Sequence, residues 1–379
     1  MDFALTEDQQ LFQRMVREFA TNELQPAAAR VDDEEKFPAE NVRKMAELGL
    51  MGVSITEEYG GSGGDSVHLV IATEEIARAC ASTSTIYLAS VSLACYPMYL
   101  FGTEEQKRRF VVPLAKGQKL ACFGLTEPGA GSDAAAIQTT ATRRGDCYVL
   151  DGTKTFITNG AEADIALVFA TADKSLRHKG IIALIVEKGA RGFSVGKKER
   201  KLGVRGSSTA ELVFEGCEVP AANWLGEERG GFKVAMGAID ASRINVAAQA
   251  VGIARAALEA SLAYARDRRQ FGQAISGFQA VQWMLADMAT YVDAARLLAY
   301  RAAFLKNEGL PCLKEAAMAK LFAAEAAMNI ATKAVQIHGG YGYIKDYPVE
   351  RYFRDAKITE IYEGTSEMQR MTIAKQLIG

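Results

Sequence analysis

The stretch Arg354-Asp355-Ala356-Lys357-Ile358-Thr359-Glu360-Ile361-Tyr362-Glu363-Gly364-Thr365-Ser366-Glu367-Met368-Gln369-Arg370 is the most informative part of the 379-residue chain. Two helix-like segments flank a break at Glu363-Gly364, so Glu363 lies on an irregular turn. Gly364 lets the backbone bend and approach another molecule closely. Ser366 and Gln369 have the spacing of a capping box, which predicts a new helix opening there with its first amides unpaired. A carboxylate fixed beside a helix N-terminus offers a proton acceptor and an anion-binding end together. Taken alone, Glu-Gly reads more simply as an exposed Glu before a turn. The rest of the chain has to decide.

Working outward from this turn, the chain falls into three segments. Residues 1–119 read as helices: Leu11, Met15, Val16 and Phe19 recur at helical spacing, as do Val42, Met45, Ala46 and Leu48. The start, Met1-Asp2-Phe3-Ala4-Leu5-Thr6-Glu7-Asp8, begins this pattern at once. Gly60-Gly61-Ser62-Gly63-Gly64 reads as a flexible connector, because no Lys-Ser/Thr follows to make a phosphate loop. New helices are expected from Asp65 and from Thr103. Residues 120–227 carry short β-rich runs, Cys147–Leu150, Ala166–Phe169, Ile181–Val186 and Glu211–Phe214, with Asp151-Gly152 as a hairpin signal. Residues 228–379 hold three Ala-rich helical stretches, roughly 231–267, 277–308 and 312–338, split by Gly or Pro, which suggests an antiparallel bundle.

Bulk properties exclude several classes. Charged residues make up 24% and the net charge is −2, so nothing global favours nucleic acid. The six cysteines are scattered without a C-x-x-C pair, and the three histidines are far apart, which argues against a metal site and a disulfide framework. No uninterrupted apolar run reaches the length of a membrane span. The acidic N-terminus has neither signal nor transit character, which predicts a cytoplasmic protein.

Four patches carry candidate chemistry. Phe123-Gly124-Leu125-Thr126-Glu127-Pro128-Gly129-Ala130-Gly131-Ser132-Asp133 leaves the first predicted strand as a Gly-rich loop with two hydroxyls. In Gly152-Thr153-Lys154-Thr155-Phe156-Ile157-Thr158-Asn159-Gly160, the spacing of Phe156 and Thr158 puts both on one strand face. Arg266-Asp267-Arg268-Arg269-Gln270-Phe271-Gly272 ends a helix, where cations are favoured by the macrodipole. Gln336-Ile337-His338-Gly339-Gly340-Tyr341-Gly342 ends another. A GxGxxG fingerprint after a strand is absent, so no Rossmann domain is expected.

Together with Tyr362-Glu363-Gly364-Thr365, these motifs closely resemble the acyl-CoA dehydrogenase family, over essentially the whole chain. The resemblance implies an α+β, mostly α fold: an N-terminal helical domain (1–119), a β-barrel-like middle domain (120–227) and a C-terminal four-helix-type bundle (228–379). It implies FAD as cofactor and Glu363 as the catalytic base that takes the α-proton of an acyl-CoA while a hydride passes to the flavin. It assigns Phe123, Leu125, Thr126, Gly131, Ser132, Phe156 and Thr158 to FAD, with Ser132 also near the CoA. Arg268, Gln270, Phe271, Gln279, Gln336, Gly339 and Gly340 are assigned to the FAD of a neighbouring subunit, and Thr365 and Glu367 to the cofactor as well. Asp240, Arg243, Tyr362 and Gly364 are expected on the substrate. Phe156 replaces the Trp of many members, and His338 stands where Leu or Phe is common and reads as packed beside the cofactor rather than as an acid or base. Some relatives take the base from the helix carrying Ile239–Arg243; that position is Ser242 here, which returns the role to Glu363.

Implied partners are an acyl-CoA substrate, electron-transfer flavoprotein and further copies in a homotetramer, a dimer of dimers. The implied reaction makes a trans-2,3 double bond in a neutral acyl-CoA, short-chain, branched or cyclic. Neutrality follows from Ser84–Val91, the stretch matching the acyl pocket, which holds no Arg or Lys for a terminal carboxylate. Bulky Ile86, Tyr87 and Leu88 favour compact acyl groups. An oxygen-using acyl-CoA oxidase and a non-catalytic CoA-binding protein on the same fold are the alternatives.

Overall fold

The computed structural model describes residues 4–227 and 230–379. Met1-Asp2-Phe3, read as the start of a helical pattern, and residue 228, where the third segment was set to begin, lie outside the described residues. Helix α1 (Glu7–Phe19) opens on a reciprocal cap: Thr6 accepts from the Gln9 amide at 3.2 Å, and the Gln9 side chain accepts from the Thr6 amide at 3.1 Å. Asp65 caps α2 (Ser66–Ala79) by accepting from the Val67 and His68 amides. After a break at Cys80, α3 (Ala81–Leu88) continues almost wholly buried. The Gly60–Gly64 segment is no loose connector. The Gly61 and Gly63 amides bond Thr56 O and Ile55 O, and a Cβ on Gly61 would lie 2.0 Å from Ile55 O.

The middle segment forms one eight-stranded sheet: β1 (Ala121–Gly124), β2 (Thr140–Arg144), β3 (Cys147–Thr158), β4 (Ile165–Thr171), β5 (Ile181–Glu187), β6 (Phe193–Lys198), β7 (Thr209–Pro220) and β8 (Trp224–Leu225). Its order is β6-β7-β3-β2-β4-β5-β8, with β1 paired to β4. The end strands β6 and β8 do not pair, so the sheet is open rather than a closed barrel. Asp151-Gly152 is not a hairpin turn. Strand β3 runs through it as a bulge, Asp151 accepting from the Gly216 amide at 2.7 Å while Gly152 packs against Thr139. The turn lies earlier at Gly145-Asp146, where Arg144 pairs with Cys147.

Three long helices follow: α4 (Gly231–Asp267), α5 (Gln279–Asn307) and α6 (Leu313–His338), with the shorter α7 (Val349–Thr359) and α8 (Ser366–Ile378). Alanine lets these backbones approach closely, and α6 packs against α4, α5, α7 and α8. The stretches Ala81–Phe101 and Gly231–Asp267 are each long and apolar enough to cross a membrane, with mean hydropathy 1.2. This corrects the expectation that no segment reaches that length. Buried fractions of 72% and 67% show where their apolar surface goes: into the protein's own core. The bulky residues of the α3 stretch also turn out differently. Ile86, Tyr87 and Leu88 pack into the N-terminal core, with the Tyr87 hydroxyl donating to Leu50 O at 3.1 Å. The side chains that hydrogen-bond to α4 from this stretch are the polar Thr85 and Ser92.

Candidate active site

Glu363 lies between α7 and α8 in a left-handed backbone conformation (φ 54°), followed by Gly364 at φ 91°. A non-glycine residue held there costs about 1–2 kcal/mol, and such strain clusters at functional sites. Three side chains hold the turn. Lys320 on α6 donates to the Gly364 carbonyl at 2.7 Å, and Gln369 on α8 donates to the same oxygen at 2.8 Å. The Tyr362 hydroxyl donates to Gln249 Oε1, and Gln249 donates to Thr85 Oγ1 at 2.9 Å. The predicted capping box does not form. Thr365, not Ser366, caps α8 by accepting from the Met368 amide, which puts Met368 where the box would need Glu or Gln, while Gln369 donates to the turn's carbonyl.

One oxygen of the carboxylate is left free. Glu363 Oε2 is buried and has no hydrogen-bond partner among the described residues. Burial pushes its carboxyl up to about 7, against the opposing pull of the nearby Ser242 hydroxyl, Lys320 and Arg243. That is the range in which a general base works at neutral pH. On α4, Arg243 donates to Asp240 at 2.8 Å, while its Nε stays buried and unpartnered. Burial raises the Asp240 carboxyl and Arg243 opposes it. Arg243 thus lies beside the Glu363 turn, and Asp240 is joined to it through Arg243. Tyr362, Gly364 and Thr365 are the turn's own residues, and Glu367 is exposed.

The Gly-rich loop after β1 is anchored from inside. Glu127 is 6% exposed and accepts from Lys154 Nζ at 2.7 Å, the Thr139 amide at 2.9 Å and the Gln138 amide at 2.5 Å. Lys154, fully buried on β3, also donates to Leu125 O at 3.2 Å. The Thr155 amide bonds Thr126 O, so loop and strand are joined beside Phe156. Phe123 and Leu125 pack inward, whereas Gly131 and Ser132 are exposed. Phe156 has φ 57° at a register shift and is 63% exposed, Ile157 after it is buried and Thr158 is half-buried, so burial alternates over these three residues. An open aromatic face beside exposed backbone is a surface prepared for a planar partner.

A second patch lies elsewhere. Arg268, Gln270, Gly339 and Gly340 line a cleft of about 490 Å³ with Tyr264, His338 and Tyr341. A Cβ on Gly340 would meet nothing within 4 Å. His338 stacks on Tyr264 at 4.2 Å, and burial lowers its proton affinity, so it packs as a neutral ring. Phe271, 93% exposed, stands beside this cleft, and Gln279 and Gln336 are exposed on the neighbouring helices. None of the cleft's lining residues belongs to the Glu363 turn.

Residues 6–118, 122–217 and 229–378 match, in turn, the N-terminal, middle and C-terminal domains of acyl-CoA dehydrogenase. The chain belongs to the acyl-CoA dehydrogenase family. It is 53% identical over 377 residues to the short-chain specific acyl-CoA dehydrogenase of Clostridium acetobutylicum, covering all of both chains. Butyryl-CoA dehydrogenase from Megasphaera elsdenii superposes with a TM-score of 0.98 at 48% identity, again over both full chains. A chain solved in work on the electron transferring flavoprotein of Acidaminococcus fermentans and flavin-based electron bifurcation gives a TM-score of 0.99 at 52% identity, with full coverage of both.

Acyl-CoA dehydrogenases are FAD-dependent oxidoreductases acting on CH–CH bonds, and the residues present fit that cofactor. The loop at Gly131-Ser132 presents open backbone, Phe156 presents an aromatic face, and Arg268 offers a cation at a roomy cleft. Sequence reasoning missed Lys320, Gln249, Glu127 and Lys154. For Lys320 a signal existed: Ala316, Ala317, Ala323 and Ala324 at helical spacing around it are all buried, so the lysine sits in the middle of an apolar stripe.

Proposed function

We propose that this acyl-CoA dehydrogenase oxidises a neutral, short, straight-chain acyl-CoA to the 2-enoyl-CoA, with Glu363 as the base that removes the α-proton. The observation that carries this reading is the Glu363 carboxyl, raised to about 7 on a strained turn with its Oε2 buried and unpartnered among the described residues. The α-proton of a thioester is weakly acidic, so donors must meet the thioester oxygen as charge develops. The backbone amide of Glu363 is suited to that, since the turn around it is fixed by Lys320, Gln369 and Tyr362. FAD, when bound, supplies the hydride acceptor. Phe123, Leu125, Thr126, Gly131, Ser132, Phe156 and Thr158 would hold it within one subunit, with Thr365 and Glu367 at the turn. Arg268, Gln270, Phe271, Gln279, Gln336, Gly339 and Gly340 would hold the cofactor of a neighbour. Their separation from the Glu363 turn supports a homotetramer. Asp240 and Arg243 would position the CoA portion, and Ser132 would lie near it.

Short-chain preference rests on polar bridges to α4 from α3 and from the helical segment that follows it. Gln249 ties Thr85 to Tyr362, and Asn245 donates to Ser92 at 2.7 Å, which limits the depth available to an acyl chain. The short-chain relative at 53% identity points the same way, and away from branched or cyclic acids. Electron-transfer flavoprotein is the proposed acceptor, on the strength of the relative solved in work on that protein. A cytoplasmic location and the lack of a membrane span complete the reading. A non-catalytic CoA-binding protein is disfavoured because the base and both cofactor motifs are intact, and an oxidase because the short-chain and butyryl-CoA relatives are dehydrogenases.

Glu363→Gln keeps the shape of the side chain and cannot accept a proton. It should retain FAD and acyl-CoA binding while turnover with butyryl-CoA and a dye acceptor falls by about a thousandfold or more. A variant that turns over at the native rate sinks the assignment. In the same assay palmitoyl-CoA should be a poor substrate and glutaryl-CoA should not be decarboxylated.

A further inference from the structure

We infer that Lys320 is a positioning residue of the dehydrogenation: from the buried face of α6 it fixes the carbonyl of Gly364 and sets the positive charge against which the Glu363 carboxylate ionises. The inference rests on the reading of Glu363 as the base. Lys320 is fully buried, and its one hydrogen bond among the described residues is to the Gly364 carbonyl at 2.7 Å. Among the described residues it forms no ion pair. A buried ammonium without a carboxylate in contact is unfavourable, and a Met would fill the surrounding Ala stripe without that cost. Packing therefore does not explain the lysine. Its place against the catalytic turn does.

The charges around the pair are accounted for. On α4, Arg243 is joined to Asp240. On the turn, Glu360 is held by Lys357 at 2.6 Å. On α8, Glu367 is exposed, and Arg370 is joined to Glu325 of α6 at 2.7 Å. The buried groups that remain to answer one another are Lys320 and Glu363, with Arg243 as a second cation. Burial brings Lys320 down to about 8, while Glu363 pulls the other way. Removing the ammonium should leave Glu363 harder to ionise, because burial then acts with less to oppose it.

The test compares Lys320→Gln, which can still donate to the carbonyl but is neutral, with Lys320→Met, which can do neither. The measurement is kcat/KM for butyryl-CoA as a function of pH on the FAD-loaded enzyme, with binding of a non-oxidisable acyl-CoA thioether as a check on the site. In both variants the acid limb should move up by about one pH unit, so that activity on that limb falls about tenfold. Lys320→Met should lose activity at high pH as well, and Lys320→Gln should recover most of it there. An unmoved limb in both variants, whether the rate is unchanged or lowered equally at every pH, overturns the inference. Glu363→Gln run alongside separates the two readings. If it is fully active, the assignment of the base fails; if it is inert while both limbs stay put, only the role of Lys320 fails.

Discussion

Two buried lysines stand beside two buried glutamates in this molecule, and the pairs are built in opposite ways. At the loop after β1, Lys154 meets Glu127 directly at 2.7 Å, and two backbone amides complete the carboxylate. Burial pushes Glu127 up, but Lys154 and the amides outweigh it and hold the carboxyl below its ordinary range. At the turn after α7, Lys320 meets the backbone instead, and the Glu363 oxygen is left without a partner. Its carboxyl rises to about 7. A satisfied carboxylate is a structural anchor and stays ionised. An unsatisfied one is available to a proton, and the lysine beside it supports the turn without quenching it.

If that contrast holds, the largest stability loss should come from the anchor. Lys154→Met leaves Glu127 buried without its cation, which typically costs about 3–5 kcal/mol. Urea unfolding should show the loss, and the purified variant should carry less FAD, since Glu127 also holds the amides of Gln138 and Thr139 at the far end of the cofactor loop. A Lys154→Met enzyme as stable as the native one would mean that this pair is not an anchor.

The same contrast shows how far the sequence could be read. The three segments and the long helices were legible because alanine periodicity and β-branched runs are local signals. Glu363 was legible because the motif around it is distinctive. The bulge at Asp151-Gly152 was not, because whether Asp-Gly turns or bulges depends on Gly216 and Thr139, which are remote in sequence. The cap at Thr365 was misplaced by one residue because Thr365 and Ser366 are adjacent and both residue types cap helices, so spacing alone could not choose between them. Gln249 joins Tyr362 to Thr85 across 113 and 164 residues, a link that no spacing rule contains. Bulk in α3 likewise gave the wrong side chains, since the helix buries Tyr87 and its neighbours in a different core.

A smaller effect is expected where the turn itself is altered. Gly364 sits at φ 91°, and a Cβ there would lie 2.7 Å from Gln369 Nε2. The side-chain contact can yield, but the backbone conformation cannot, so Gly364→Ala should cost about 1–2 kcal/mol. Because the same carbonyl is held by Lys320 and Gln369, turnover should fall together with stability. At the anchor there is no such strain, and Gly131→Ala in the open loop should leave stability unchanged while weakening FAD binding. Thermal melting with and without FAD distinguishes the two variants.

The smallest effect concerns the stability that the reactive carboxylate withholds. Glu363 in the folded chain titrates near 7 rather than at the ordinary 4.5, so the native state binds this proton more tightly than the unfolded one. That contribution is fully present below the unfolded value and is lost as pH rises through 7. Above it the ionised, unpartnered oxygen is a burden on the fold, and a glutamine carries no such charge. Glu363→Gln should therefore melt higher than the native enzyme at pH 8, by on the order of 2 °C, with the difference closing toward pH 5. The gain stays small because Lys320 loses its nearby charge in the same variant. Glu127→Gln should do the reverse, melting lower than native at pH 8, since an anchor that is already ionised and satisfied has only stability to lose. If both glutamines shifted the melting temperature in the same direction, the distinction between an anchored and a reactive carboxylate would collapse.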